Sequence, residues 1–193
     1  MERSISAGRH ESNCGIMPID EVHYRTATEP DALCLSVLAT QVFLDTYATE
    51  GIRPALAREV RELFSEETFA ARLADPRHVL MVAEVAAHHV GFAHLVHGQA
   101  HELLPPGARA AEVSRLYVHR PFLRNGIGKE LLVRTEALAA AAGADLLWLT
   151  VWTENAPALR FYKAQGYRDV GGSVYIFEGD RYATRIFVKK LHR

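Results

Sequence analysis

A chain of 193 residues, 49% hydrophobic and 23% charged, has the length of one domain with a real core and the composition of a soluble globular protein. A formal net charge of −1 with no local basic cluster argues against nucleic acid as a partner. No apolar run approaches the ~18 residues that cross a bilayer, so no membrane partner is expected.

Residues 1–18 are polar and mixed in charge, without the apolar core of a signal peptide, and read as a disordered or added tail ahead of a single domain at 19–193. A cytoplasmic location follows as the expectation. The two cysteines make no disulfide framework. Cys14 lies in the polar leader and reads as exposed; Cys34 lies in an apolar helical pattern and reads as a buried small hydrophobe.

Val22 to Thr26 predicts a first strand. Pro30-Asp31 opens a helix whose stripe is Leu33, Val37, Leu38, Val42 and Tyr47. Gly51 and Pro54 break it, and Arg58 to Phe64 predicts a second short helix. Ser65 has the character of a cap for a third, which Asp75-Pro76 stops. Val79 to Val85 and Val90 to Val96 predict a hairpin turning at Ala87-His88-His89. After a loop from Gly98 to Arg109, Glu112 to Val118 predicts a strand leading into Leu123-Arg124-Asn125-Gly126-Ile127-Gly128-Lys129. Gly128 to Ala142 predicts a helix that Gly143 ends. Asp145 to Trp152 is apolar on both faces, as an interior strand is. Asn155 caps a helix carrying Pro157 in its first turn, and Gly166 terminates it. Tyr167 to Val170 and Tyr182 to Lys189 predict closing strands. This order makes a mixed α/β sheet with helices on both faces.

Two stretches carry the chemistry. The turn through Gly126 and Gly128 puts bare backbone N–H groups at a helix N-terminus, a ready site for phosphate oxygens. A dinucleotide fingerprint would need a third glycine where Leu131 stands and an acid near Trp152; a Walker loop would need wider glycine spacing and a hydroxyl where Glu130 stands. Both fail. A plain strand-to-helix connection stays open on the turn alone. Downstream, Asn155, Ala158, Phe161, Tyr162, Gly166 and Tyr167 place a phenol on a short capped helix. An anion cradle plus a positioned phenol suits an enzyme that holds a pyrophosphate-bearing donor and protonates a leaving group.

Together, Glu112-Val113-Ser114-Arg115-Leu116-Tyr117-Val118, the glycine turn and the Asn155–Tyr167 pattern resemble the GNAT superfamily of acyl-CoA-dependent N-acetyltransferases. The resemblance covers about Glu112 to Val170. It departs at Leu123, where the family has Gln or Arg; Arg124 follows one place later. It implies a mostly antiparallel central sheet and acetyl-CoA as co-substrate. The cofactor would be held by Leu116, Tyr117 and Val118, by Leu123 through Lys129, and by Asn155, Ala158 and Tyr162. An amine, neutral after losing its proton to a base, attacks the thioester, and an acid protonates the departing thiolate. Tyr162 is the implied acid. Glu112 is the candidate base, with Glu84 and Glu154 as competitors.

Phe43, Tyr47 and Tyr175 are aromatic candidates for the acceptor side. Val42 to Tyr47 and the C-terminal stretch from Phe177 are similar to the spermidine/spermine-type branch, and Asp45, Glu50 and Glu178 are carboxylates that suit a polycation. The expected acceptor is a primary amine on a small molecule, peptide or protein. Dimers are frequent in the superfamily, so a homodimer is an expectation. The alternative is a non-catalytic acyl-CoA-binding module of the same fold. No metal site is expected, because His94 and His97 point to opposite faces of a strand.

Overall fold

The structure, a computed structural model, describes residues 21–177 and 180–191. The leader with Cys14, and Glu178, lie outside the described residues.

Seven strands form one sheet in the order β1-β2-β3-β4-β5-β7-β6. They are β1 (His23–Thr26), β2 (His78–Val85), β3 (His88–His97), β4 (Ala110–Val118), β5 (Leu146–Trp152), β6 (Arg168–Phe177) and β7 (Asp180–Lys190). Every neighbouring pair is antiparallel except β4 and β5. Helices α1 (Ala32–Tyr47), α2 (Pro54–Leu63) and α3 (Glu66–Ala74) precede β2. Helix α4 (Ile127–Ala141) crosses from β4 to β5, and α5 (Ala156–Ala164) leads from β5 to β6. Leu35 and Leu38 of α1 and Phe69 of α3 pack on Leu80, Val82 and Phe92 of one sheet face. Leu132 and Ala139 of α4 and Tyr162 of α5 pack on Ala111, Val113, Leu147 and Phe187 of the other. The mixed, mostly antiparallel sheet with helices on both faces is therefore present.

Several predicted details differ. Leu35, Leu38 and Ala39 are buried, whereas Leu33 and Val37 are exposed at 54% and 60%. The α1 sequence is apolar almost all round, so periodicity alone could not choose the buried face. Cys34 belongs to the exposed side and is an exposed free thiol, not a core residue. Helix α2 begins at Pro54 rather than Arg58, because proline with its fixed φ serves as a first helical residue. Only Ala86 and Ala87 make the β2–β3 turn, both at positive φ. Strand β6 runs from Arg168 on to Phe177 through Gly171-Gly172, well past the predicted end at Val170.

β1, the entry to α1 and the β2–β3 hairpin are fastened by one guanidinium. Arg25 donates to both carboxylate oxygens of Asp31, at 2.8 and 2.7 Å, and to both of Glu84, at 3.2 and 2.7 Å. Asp31 also accepts from the Thr28 N–H at 2.7 Å, and His89 Nε2 lies 3.1 Å from it. Asp31, Glu84 and His89 have the donor types of a metal site, yet Arg25 already occupies both carboxylates. Its charge holds Asp31 far below the usual carboxylate range. Glu84, a competitor for the base, is committed to this clamp.

Removing one partner of a buried pair leaves the other charge uncompensated. Arg25→Met is therefore expected to destabilise the fold by about 3 kcal/mol at pH 7, read as a fall in the urea midpoint. A carboxyl with a depressed folded pKa contributes stability above its unfolded value that is lost as pH falls through the folded one. The gap between wild type and variant is thus widest at neutral pH and closes below about pH 4.

Candidate acyl-transfer site

β4 and β5 pair only through Ala110–Leu146, Ala111–Leu147 and Glu112–Trp148. Beyond Glu112 they separate: β4 continues against β3 to Val118, and β5 against β7 to Trp152. The result is a wedge, closed at Glu112 and open toward the carboxyl ends of two parallel strands. Parallel strands whose ends diverge make the crevice where ligands bind in α/β sheets. Helices α4 and α5 both start from that open end, so both N-termini border it.

The glycine turn forms the α4 N-terminus. Arg124 (φ +66°) and Gly126 (φ +79°) are left-handed, which turns successive N–H groups toward one concavity. Gly126 is the N-cap and offers no side chain, so the first-turn amides of Ile127, Gly128 and Lys129 receive no side-chain cap. Asn125 fastens the loop by donating to the Phe122 and Leu123 carbonyls at 3.3 and 3.1 Å. Buried Ile127 anchors it among Met81, Val90 and Ala93. Leu123 is 51% exposed, and Arg124 and Lys129 also face solvent. A Cβ on Gly128 would meet Val118 Cγ2 at 3.6 Å and Phe161 Cζ at 3.9 Å, ordinary contacts, so the fold itself does not demand a glycine there.

On the other border, Asn155 caps α5 by accepting from the Ala158 N–H at 3.2 Å. Two turns on, Tyr162 is 9% exposed and packs against Phe161, Tyr167 and Phe187 at centroid distances of 5.1, 5.7 and 6.4 Å. Burial, with the nearby Tyr47 and Tyr117 phenols, pushes its hydroxyl well above the ordinary phenol range. It stays protonated at any physiological pH.

The opposite mouth of the wedge leads into a cavity of about 560 Å³. Phe43, Tyr47 and Tyr175 all line it, so the structure brings the three aromatic candidates together. Tyr47 stacks near Phe43 (4.7 Å) and Trp152 (5.7 Å), and the Tyr175 hydroxyl donates to Glu59 at 2.9 Å. Tyr117 lines the cavity, while Leu116 and Val118 face α4. Glu112 sits at the closed apex. Burial raises its carboxyl and the Arg115 charge pulls the other way. It is not itself part of the cavity wall.

Several wall residues escaped the sequence reading, four of them with polar contacts that matter here. Glu59 lies on α2, whose role sequence left open. Arg53 pairs with Asp180 and with the Tyr182 hydroxyl. Ser114 and Arg115 are consecutive in β4, and alternation would send one of them to each face. A β-bulge opposite His94/Leu95 shifts the register so that both line the cavity. Ser114 Oγ is 2.8 Å from His94 Nδ1, and His94 Nε2 is 2.7 Å from His78 Nδ1. His94 is 2% exposed, and burial with the Arg115 and Arg72 charges pulls its imidazole down to about 2, so it is neutral. Its partner comes from the neighbouring strand and not from the nearby His97.

A mixed sheet parted between two parallel strands, with an uncapped glycine turn on one border and a buried phenol on the other, defines an acyltransferase of the GNAT type. The sequence pattern of the Acetyltransferase (GNAT) family matches residues 46–167, and the chain belongs to that family of N-acetyltransferases. An uncharacterized N-acetyltransferase of Lactobacillus delbrueckii subsp. lactis is 24% identical over 166 residues, covering 85% of this chain and 94% of that protein. The PaiA N-acetyltransferase of Thermoplasma acidophilum, solved with coenzyme A, superposes with a TM-score of 0.67 at 21% identity over 89% of this chain and 99% of that one. YncA of Salmonella typhimurium, a putative acetyltransferase solved with acetyl-CoA, gives 0.64 at 17% identity over 90% and 96%. Among the described residues no helix is long and apolar enough to cross a membrane.

Proposed function

We propose that the protein transfers the acetyl group of acetyl-CoA to the amine of an acceptor held in the 560 Å³ cavity. The observation that carries this reading is the wedge. Its β4 edge has N–H and C=O groups that β5 does not pair, and a pantetheine arm can join them as an added strand. The diphosphate then meets the first-turn amides at Gly126–Lys129, and Asn155 and Ala158 flank the arm. The thioester reaches the region between Glu112, the acceptor cavity and Tyr162.

In this arrangement Glu112, with a carboxyl raised by burial, takes the amine proton, directly or through one water. The neutral amine attacks the thioester carbonyl. Tyr162 donates to the thiolate sulfur as the carbon–sulfur bond breaks. A cavity of this size suits a small molecule or the tip of a peptide.

Mixing the protein with acetyl-CoA and polyamines, amino acids, peptides and aminoglycosides, and following free thiol, tests the reading. Acceptor-dependent thiol release supports it; tight coenzyme A binding with no release across the set would favour an acyl-CoA sensor instead. Gly128→Ala separates cofactor contact from fold. Alanine is the better helix former, so thermal stability is expected to hold or rise by up to about 1 kcal/mol. The added methyl group crowds the diphosphate, and KM for acetyl-CoA is expected to rise roughly ten-fold, the equivalent of one lost hydrogen bond to a charged group.

A further inference from the structure

The cavity contains a cation that touches the Tyr117 hydroxyl and feels the Glu112 charge but, among the described residues, has no carboxylate in ion-pair contact. Of the charged residues on its wall, Glu59 accepts from the Tyr175 hydroxyl, Arg53 pairs with Asp180, and Glu50 is exposed at the rim. Arg115 is different. Its Nε is buried without a hydrogen-bond partner, and its guanidinium lies over the Phe64 ring at 5.1 Å. Behind it, Arg72 lies over the Phe69 ring at 5.1 Å, and its Nη1 is likewise buried without a partner. Burial first, and then the Arg115 charge, pull Arg72 down to about 10. Among the described residues no carboxylate forms an ion pair with either guanidinium. Two half-buried like charges with no carboxylate in ion-pair contact are unfavourable, and an anion in the cavity would complete the site.

The bulge sets a second group beside Arg115. Ser114 is tied to His94, His94 to His78, and His78 Nε2 lies 3.9 Å from Asp75 Oδ2. The Asp75 carboxylate favours the proton on His78 Nε2, which leaves His78 Nδ1 as acceptor. His94 then donates from Nε2 and accepts at Nδ1 from the Ser114 hydroxyl. Ser114 is thereby oriented to turn its lone pairs into the cavity, ready to accept from an N–H group.

We infer that the Ser114–Arg115 bulge is an amino-acid recognition site. Arg115, reinforced by Arg72, takes the acceptor's carboxylate, and Ser114 orients the adjacent amine. This rests on the transferase reading above and narrows its acceptor to α-amino acids. Tyr47, Trp152 and Tyr182 leave an aromatic wall for an apolar side chain.

The test uses the full chain with acetyl-CoA, and L-leucine, L-methionine and L-phenylalanine beside their amides and spermidine. The acids are expected to exceed their amides about thirty-fold in kcat/KM, as for a hydrogen-bonded charge pair. Calorimetry with the N-acetyl acids and N-acetyl amides on the coenzyme A complex reads the same preference without turnover. Arg115→Met should abolish the preference in both assays, and Arg115→Lys should retain part of it, because a point charge keeps attraction without the bidentate fork. Wild-type protein that treats acids and amides alike, or prefers spermidine, overturns the carboxylate site even if acetyl-CoA binds and turns over. Failure to bind acetyl-CoA would instead sink the transferase reading on which the site depends.

Discussion

Tyr162→Phe is expected to lower kcat about a hundred-fold, within the usual span of general acid catalysis, and to leave KM for acetyl-CoA near its wild-type value. The ring is held by Phe161, Tyr167 and Phe187, contacts that phenylalanine keeps, so the loss isolates the hydroxyl. Burial keeps that hydroxyl protonated, and a group that never ionises in the working range imposes no alkaline limb of its own. The variant should therefore show a rate profile of unchanged shape, displaced downward at every pH. Steady-state kinetics on the best acceptor checks this. Undiminished turnover would remove Tyr162 from the chemistry.

Glu112→Gln is expected to act with similar size and opposite character. Loss of the base should reduce kcat/KM about a hundred-fold near neutrality. The deficit should shrink toward alkaline pH, where the acceptor amine sheds its proton unaided. Stability provides a second readout. A carboxyl whose folded pKa lies above its unfolded value of about 4.3 makes the fold lose stability as pH rises through that interval. Burial raises Glu112, so glutamine relieves a penalty that wild type carries at pH 7 and does not carry at pH 4. The variant should be slow and more heat-resistant at neutral pH. A slow variant without that gain would point to damaged packing, and an unaltered pH profile would exclude Glu112 as base.

The glycine turn and the capped α5 were legible because they depend on local backbone demands. Gly126 needs a left-handed φ, Asn155 needs a helix amide to cap, and Tyr162 follows at a fixed helical offset. Such constraints repeat along the sequence and can be read from it. The acceptor half depends on register and packing. Strict alternation separates Ser114 from Arg115, and only the bulge reunites them. His78 and His94 are sixteen positions apart and meet only because β2 and β3 pair. Glu59 reaches Tyr175 across 116 positions. In α1 the apolar surplus hid which face was inside, and Cys34 was misjudged for that reason.

The brevity of the seam between β4 and β5 bears on how the molecule behaves in the cell. Three residue pairs join one half of the sheet to the other there, and the rest of that boundary lacks a partner strand. A thread of cofactor lying in the gap would knit the halves together, and its binding energy would add to folding energy by mass action. Resistance to heat and proteases would then rise with the concentration of acetyl-CoA.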